Sequence, residues 1–195
     1  NIELIIRDQC KSRRLIEEAM ILAGYIVSKF TYKNKILVPY RSQEFSNIPK
    51  VNYDSHYAVN NHIIKTSLNR CQISTIPYKH FSLGLDSYVQ ITSPIRRYID
   101  LIAHYQLYSY FSSTKSIDQD KLSTLIQQFN KNFKQATEKM RADSSITKDK
   151  FILSNKNKFF NCIFLKSINY SRKITLVYFI DYQFEHTIIL NTKQK

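Results

Sequence analysis

Apolar residues recur at helical spacing across positions 12–30. Leu15, Ala19, Leu22, Ala23, Ile26 and Phe30 share one face, and Ser12 is a suitable N-cap type. Glu17 and Glu18 stand early in this segment, where the helix dipole favours carboxylates. Ile36 to Arg41 is a short extended run interrupted by Pro39, and 49–62 is irregular, a loop with helical turns. Cys71 to Tyr78 is a second β-like run that stops near Pro77, and the lone His80 after it reads as structural. Tyr88 to Ile91 is strand-like and passes directly into a helix expected from Pro94 to about Phe111, with Tyr98, Leu101, Ile102, Tyr105 and Tyr108 inward. Ser116 is a cap for the next helix, where Leu122, Leu125, Ile126, Phe129, Phe133, Ala136 and Met140 form a core-facing stripe. From about Asn155 the period changes to two. Phe159–Ser167, Lys173–Ile180 and Phe184–Leu190 read as three strands with polar turns, among them Asn169-Tyr170-Ser171. The fold class expected is α+β, helices followed by a small β module.

Chemistry concentrates where the Tyr88 strand meets its helix. Thr92 and Ser93 are N-cap types, and Pro94 suits a first helical position because its missing N–H would be unpaired there. Arg96 and Arg97 then occupy the first turn, where the macrodipole is already positive. Two readings stand. An anion can fill the gap between hydroxyls, backbone N–H groups and guanidinium forks, and a phosphate does so best. Alternatively the arginines pair with Asp100 and other carboxylates on a solvated face. Arg96, Asp100 and His104 also fall at four-residue steps, the spacing of ion pairing along a helix.

Composition narrows the partner. A net charge of +14 and a pI near 9.7 favour a polyanion, nucleic acid before membrane. The Lys-, Asn- and Ile-rich, Gly-poor usage also fits an AT-rich genome, which alone would raise the charge. Hydrophobic content of 43% argues for a folded chain, and no apolar run approaches the ~20 residues needed to span a bilayer. Cys10, Cys71 and Cys162 are odd in number and widely spaced, which suggests neither disulfides nor a metal knuckle and points to a reducing compartment. Between Lys131 and Thr175, eleven Lys and Arg face three acidic residues. Interleaved with Phe and Tyr, they read either as a single-strand nucleic-acid platform of the OB kind or as a solvated basic face. Residue 1 is Asn rather than Met, as expected of a fragment or processed piece.

Three segments together resemble the ribonuclease II / ribonuclease R (RNB) family, its cyanobacterial and plastid branch in particular. They are Arg14-Leu15-Ile16-Glu17-Glu18-Ala19, Leu37-Val38-Pro39-Tyr40-Arg41-Ser42-Gln43, and the ordered block from His80-Phe81-Ser82-Leu83-Gly84-Leu85 through Tyr88-Val89-Gln90-Ile91-Thr92-Ser93-Pro94-Ile95-Arg96-Arg97-Tyr98 to Asp100-Leu101-Ile102-Ala103-His104. The resemblance covers about residues 8 to 155. It implies the C-terminal half of an RNB catalytic domain over 1–154 and a partial OB-like RNA-binding domain over 155–195.

The activity implied is processive 3′→5′ hydrolysis of single-stranded RNA to 5′-mononucleotides with Mg²⁺, in a plastid or bacterial-type cytoplasm. Arg96 is the implied catalytic residue, a contact to the phosphate at the scissile bond. Glu17 would accept from a ribose 2′-OH, a way to prefer RNA, and Tyr88, Gln90, Thr92, Ser93 and Arg97 are candidate RNA contacts. The family's metal-binding aspartates precede this segment, so no metal ligand is assigned and the missing N-terminal half is an expected partner. Asp118 and Asp120, at a helix start, read as capping residues. A non-catalytic RNA-binding piece or split-enzyme subunit is the alternative, and a structural protein whose charge reflects genome bias is the third.

Overall fold

The computed structural model describes residues 10–50 and 55–190. Its architecture is mixed, helices with two small antiparallel sheets: α1 (Lys11–Lys33), β1 (Tyr40–Ser42), α2 (Tyr57–Ser67), β2 (Gln72–Ser74), α3 (Tyr98–Phe111), α4 (Gln119–Ser154), β3 (Cys162–Asn169), β4 (Ile174–Phe179) and β5 (Phe184–Ile189). Two compact units result. One takes the described parts of Gln9–Asn47 and Leu68–Ala136, the other those of Ile48–Ser67 and Thr137–Lys195.

In the first unit β1 pairs with β2, Tyr40 opposite Ser74, and Tyr40 also bridges Val89, which brings the Ser87–Ile91 run alongside. Helix α1 packs on that run through its smallest residues. Gly24, Ser28 and Thr31 are its buried positions. The Val89 N–H donates to the Gly24 carbonyl at 3.3 Å, and Ser28 Oγ meets the carbonyl and hydroxyl of Ser87 at 3.1 and 2.9 Å. Thr31 Oγ1 meets the Tyr40 hydroxyl at 3.1 Å. The expected apolar face is therefore not the packed one. Leu15, Ala19, Leu22 and Ile26 are exposed, Leu15 by 69%. The reason is steric: the helix lies against a backbone, and only small side chains permit that approach. The helix also starts one residue earlier than expected, with Cys10 rather than Ser12 at its N-cap.

Helix α3 shows the same displacement. Ile99, Asp100, Ile102, Ala103, Gln106 and Ser109 are buried, whereas Tyr98, Leu101, Tyr105 and Tyr108 of the expected face are exposed and only Ile102 is inward as expected. The core has two clusters, Val38, Tyr40, Val89, Ile91 and Ala103 in one and Ile99, Ile102, Leu122 and Ile126 in the other. Helix α4 supplies the second through its first turns. Further along, Phe133, Ala136 and Met140 are exposed, against expectation. Its N-cap is Asp118, whose Oδ1 accepts the Lys121 N–H at 2.8 Å, and Ser116 lies outside the helix.

In the second unit β3, β4 and β5 form an open three-stranded meander. Side chains alternate between its faces. On one face Tyr178 meets the Tyr57 hydroxyl of α2 at 2.8 Å, and the cross-strand neighbour of Tyr178, Glu185, accepts from His62 Nδ1 at 3.2 Å. On the other, His186 Nε2 donates to Asp149 of α4 at 2.8 Å beside an aromatic cluster of Phe151, Phe160, Phe179, Tyr182 and Phe184.

Candidate functional site

The Tyr88–Ile91 segment is extended and bridges Tyr40 at Val89 without forming a regular strand, and it ends in a turn, not in a helix. Residues Pro94–Arg96 form a separate turn closed by Arg96 and Arg97 N–H groups donating to the Ser93 carbonyl at 3.2 and 3.0 Å. Helix α3 starts only at Tyr98, with Arg97 at its N-cap in extended backbone (φ −124°, ψ 112°) and no side-chain cap bond. The expected helix start at Pro94 and the capping by Thr92 or Ser93 are thus corrected. The physical cause lies in the first turn of α3, where Asp100 is fully buried. Its Oδ2 accepts the Ser93 N–H at 2.8 Å, Arg97 Nε at 2.9 Å and Arg97 Nη2 at 2.8 Å. Arg97 Nη2 also donates to Thr92 Oγ1 at 3.1 Å. Asp100 is therefore the anion that a positive helix end attracts. Asp100 Oδ1 is buried with no hydrogen-bond partner.

Of the two adjacent arginines one is engaged and one is free. Arg97 is held by Asp100 and Thr92, whereas Arg96 is exposed and its guanidinium has no hydrogen-bond or ion-pair partner among the described residues. Asp100 pairs with the nearer arginine, not with Arg96 four residues before it. His104 contributes differently again, donating from Nε2 to the Ile91 carbonyl at 2.8 Å just before the turn.

The other expected residues divide. Tyr88 is buried. Its ring lies against Gly24 and edge-on to His80, 5.8 Å between centroids, and its hydroxyl is pushed above its ordinary 10.0 chiefly by burial. That places it in the wall behind the strand. Gln90 Oε1 accepts from Arg41 Nη1 at 3.0 Å, which sets a second guanidinium beside the strand. Glu17 lies in the exposed first turns of α1, without a contact to either arginine. Pairing of the arginines with Asp100 was one of the two readings the sequence offered, and it holds for Arg97 at i, i+3. Arg41 is the participant that spacing passed over, since it meets Gln90 across 49 residues. Behind the strand His80 is buried, with its imidazole pushed below its ordinary 6.5 first by burial and then by Arg41. Gly84, in left-handed backbone at φ +65°, closes the short 3₁₀ turn Phe81–Leu83 that follows it.

Among the described residues no three His, Cys, Asp or Glu side chains come together in a set that could hold a metal ion. The described carboxylates do not fit a two-Mg²⁺ site. Nor is any described helix long and apolar enough to cross a membrane.

The RNB domain family model matches residues 1–113, more than half of the chain. The chain belongs to the RNB family. An uncharacterized ribonuclease of Synechocystis is 36% identical over 115 residues, 56% of this chain and 17% of that protein. The chloroplastic/mitochondrial ribonuclease II of Arabidopsis thaliana is 39% identical over 114 residues, 56% of this chain and 14% of that protein. The match thus spans less than a fifth of either relative. In structure, the RNB chain superposes on the RNase R of Mycoplasma genitalium, solved with ribose-methylated single-stranded RNA, with a TM-score of 0.76 at 20% identity. That match covers 97% of this chain and 35% of the other, and it establishes the fold.

Proposed function

We propose that this RNB chain is part of a 3′→5′ exoribonuclease that hydrolyses single-stranded RNA to 5′-mononucleotides. Residues 1–154 would be the C-terminal half of its catalytic domain, and 155–195 a partial OB-like RNA-binding module. The observation that carries the reading is Arg96, an exposed guanidinium without a partner among the described residues, on a turn that is itself anchored, inside the family's block. A guanidinium offers a phosphate two parallel N–H donors, and charge-assisted bonds of that kind strengthen as negative charge builds on the phosphoryl oxygens. Arg96 thus grips the phosphate at the scissile bond. Glu17 accepts from a ribose 2′-OH, which a deoxyribose cannot supply. Gln90 aims Arg41 along the RNA path, and Tyr88 supports that wall from behind. Thr92 and Ser93 belong to the same path and meet RNA through whatever their bonds to Arg97 and Asp100 leave free. Mg²⁺ would be held by carboxylates of the other half of the catalytic domain, the expected partner. The cyanobacterial and chloroplastic relatives support a plastid or bacterial-type cytoplasm.

The test is an Mg²⁺-dependent degradation assay on 5′-labelled single-stranded RNA, paired with binding across a salt series, for the parent and Arg96→Ala. Expected is stepwise shortening from the 3′ end, abolished in the variant, with binding only modestly weakened. RNA that is held in a salt-sensitive way but never shortened would make this a non-catalytic RNA-binding piece. Equal cleavage by parent and variant would remove Arg96 from the chemistry.

A further inference from the structure

We infer that Asp100 is the positioning residue of this site: it anchors both ends of the turn that presents Arg96 and neutralises Arg97, so that one arginine of the pair remains for the phosphate. The inference rests on the phosphate role proposed for Arg96. The two residues flanking the turn, Ser93 and Arg97, are both bound to one carboxylate oxygen, by a backbone N–H at 2.8 Å and by guanidinium nitrogens at 2.9 and 2.8 Å. Asp100 and His104 are one helical turn apart on α3, and His104 ties down the Ile91 carbonyl at 2.8 Å. The approach to the turn is therefore fixed to the same helix as the turn. Thr92 completes the clamp through its 3.1 Å bond with Arg97. A fully buried carboxylate is costly unless it is paired and hydrogen-bonded, and here a single oxygen carries all three donors. The electrostatic result is a division of labour. Arg97 is neutralised where it stands, and Arg96, next to it in sequence, keeps its whole charge at the surface. Rigid supporting bonds of this sort hold a catalytic group to its productive geometry.

Single-stranded RNA binding by the full chain, read by anisotropy across a salt series, tests this with a charge-neutral variant, Arg97→Gln together with Asp100→Asn. Net charge is unchanged, so a lower salt slope reports a lost contact and not a lost charge. Arg96→Ala should lower the slope of log K against log salt by about 0.7, one phosphate contact on a single strand. The charge-neutral variant should lose the same amount, and adding Arg96→Ala to it should lose no more. A full slope in the charge-neutral variant beside a reduced one in Arg96→Ala overturns the positioning role alone. Losses that add overturn it too, because a merely structural effect has no reason to vanish with Arg96. An unchanged slope in Arg96→Ala would instead remove the phosphate role, and the inference with it. Circular dichroism melting monitors folding. If the double replacement does not fold, Thr92→Val carries the test, since it removes the outer bond of the clamp and leaves Asp100 in place, and any RNA contact of Thr92 itself would persist as a loss in the Arg96→Ala background. It should give a partial loss that disappears in the Arg96→Ala background, and no loss at all would overturn the inference.

Discussion

Gly24 shows how one residue sets the geometry behind the site. A Cβ built there would fall 2.5 Å from the Val89 carbonyl oxygen and closer still to the Tyr88 ring. Neither neighbour can retreat easily, because Tyr88 is buried and Val89 is in an extended run, bridged to Tyr40, that α1 touches directly through the Val89 N–H. Gly24→Ala should therefore destabilise the chain by about 1–3 kcal/mol, the usual cost of overpacking a filled core, despite alanine's higher helix propensity. Urea unfolding of the two proteins checks this. A midpoint that rises would mean that propensity wins and that α1 does not need the close approach. The glycine was present in the sequence, but its role was not legible. Hydrophobic patterning ranks positions by the size of apolar side chains, and the closest contact in this unit is made where there is no side chain.

At the scale of elements the same bias recurs. The extents of α1 and the three strands of the meander follow closely from periodicity, because the period is a property of the backbone, whereas α4 runs on to Ser154, past the Leu122–Met140 stripe that marked it. The faces of α1 and α3 do not. In α3 the tyrosines looked like core, yet the buried positions include Asp100, Gln106 and Ser109. Gln106 and Ser109 have partners in the loop beyond the helix that pattern cannot reveal. The Gln106 amide grips Ile117 twice, Nε2 donating to its carbonyl at 2.9 Å and Oε1 accepting its N–H at 2.8 Å. Buried polar groups satisfied in this way cost little, and the same groups left unpaired cost about 1–3 kcal/mol. Gln106→Leu should accordingly destabilise by about that amount, since it frees two backbone groups of the loop before α4. Tyr108→Ser, on the exposed face, should change stability by less than about 0.5 kcal/mol. Denaturant titrations of both variants decide the matter, and a larger loss from the tyrosine would return the core to the face that periodicity suggested. The turn before α3 was obscured similarly: Pro94 after two hydroxyl residues is a good helix start, and only the Asp100 side chain, reaching back to Ser93, shows why the helix waits until Tyr98.

At the scale of the whole chain, the pairing of distant segments was the least legible feature. Nothing local to Tyr57 announces the Tyr178 hydroxyl, 121 residues on, or connects His62 with Glu185. These contacts make the two units differ in their response to acid. In the second unit the buried histidines face carboxylates, His62 with Glu185 and His186 with Asp149. In the first unit His80 faces Arg41 and a thiol, Cys71 Sγ at 3.6 Å from its Nε2, and burial holds its imidazole below the ordinary 6.5. The sign follows directly: the unfolded chain binds the proton more readily than the folded one, so the His80 contribution is present above 6.5 and is lost as the pH falls from there through the lower folded value. Acid should thus loosen the first unit before the second. Methyl resonances of Val38 and Val89 in one and of Val177 in the other, all buried, report each core separately. On acidification below neutrality the native Val38 and Val89 signals should weaken while Val177 persists, and His80→Gln, which removes the titrating group, should bring the two responses together. If all three valines fade at one pH in the parent chain, the units unfold as a single body and the buried His80 does not set the acid limit.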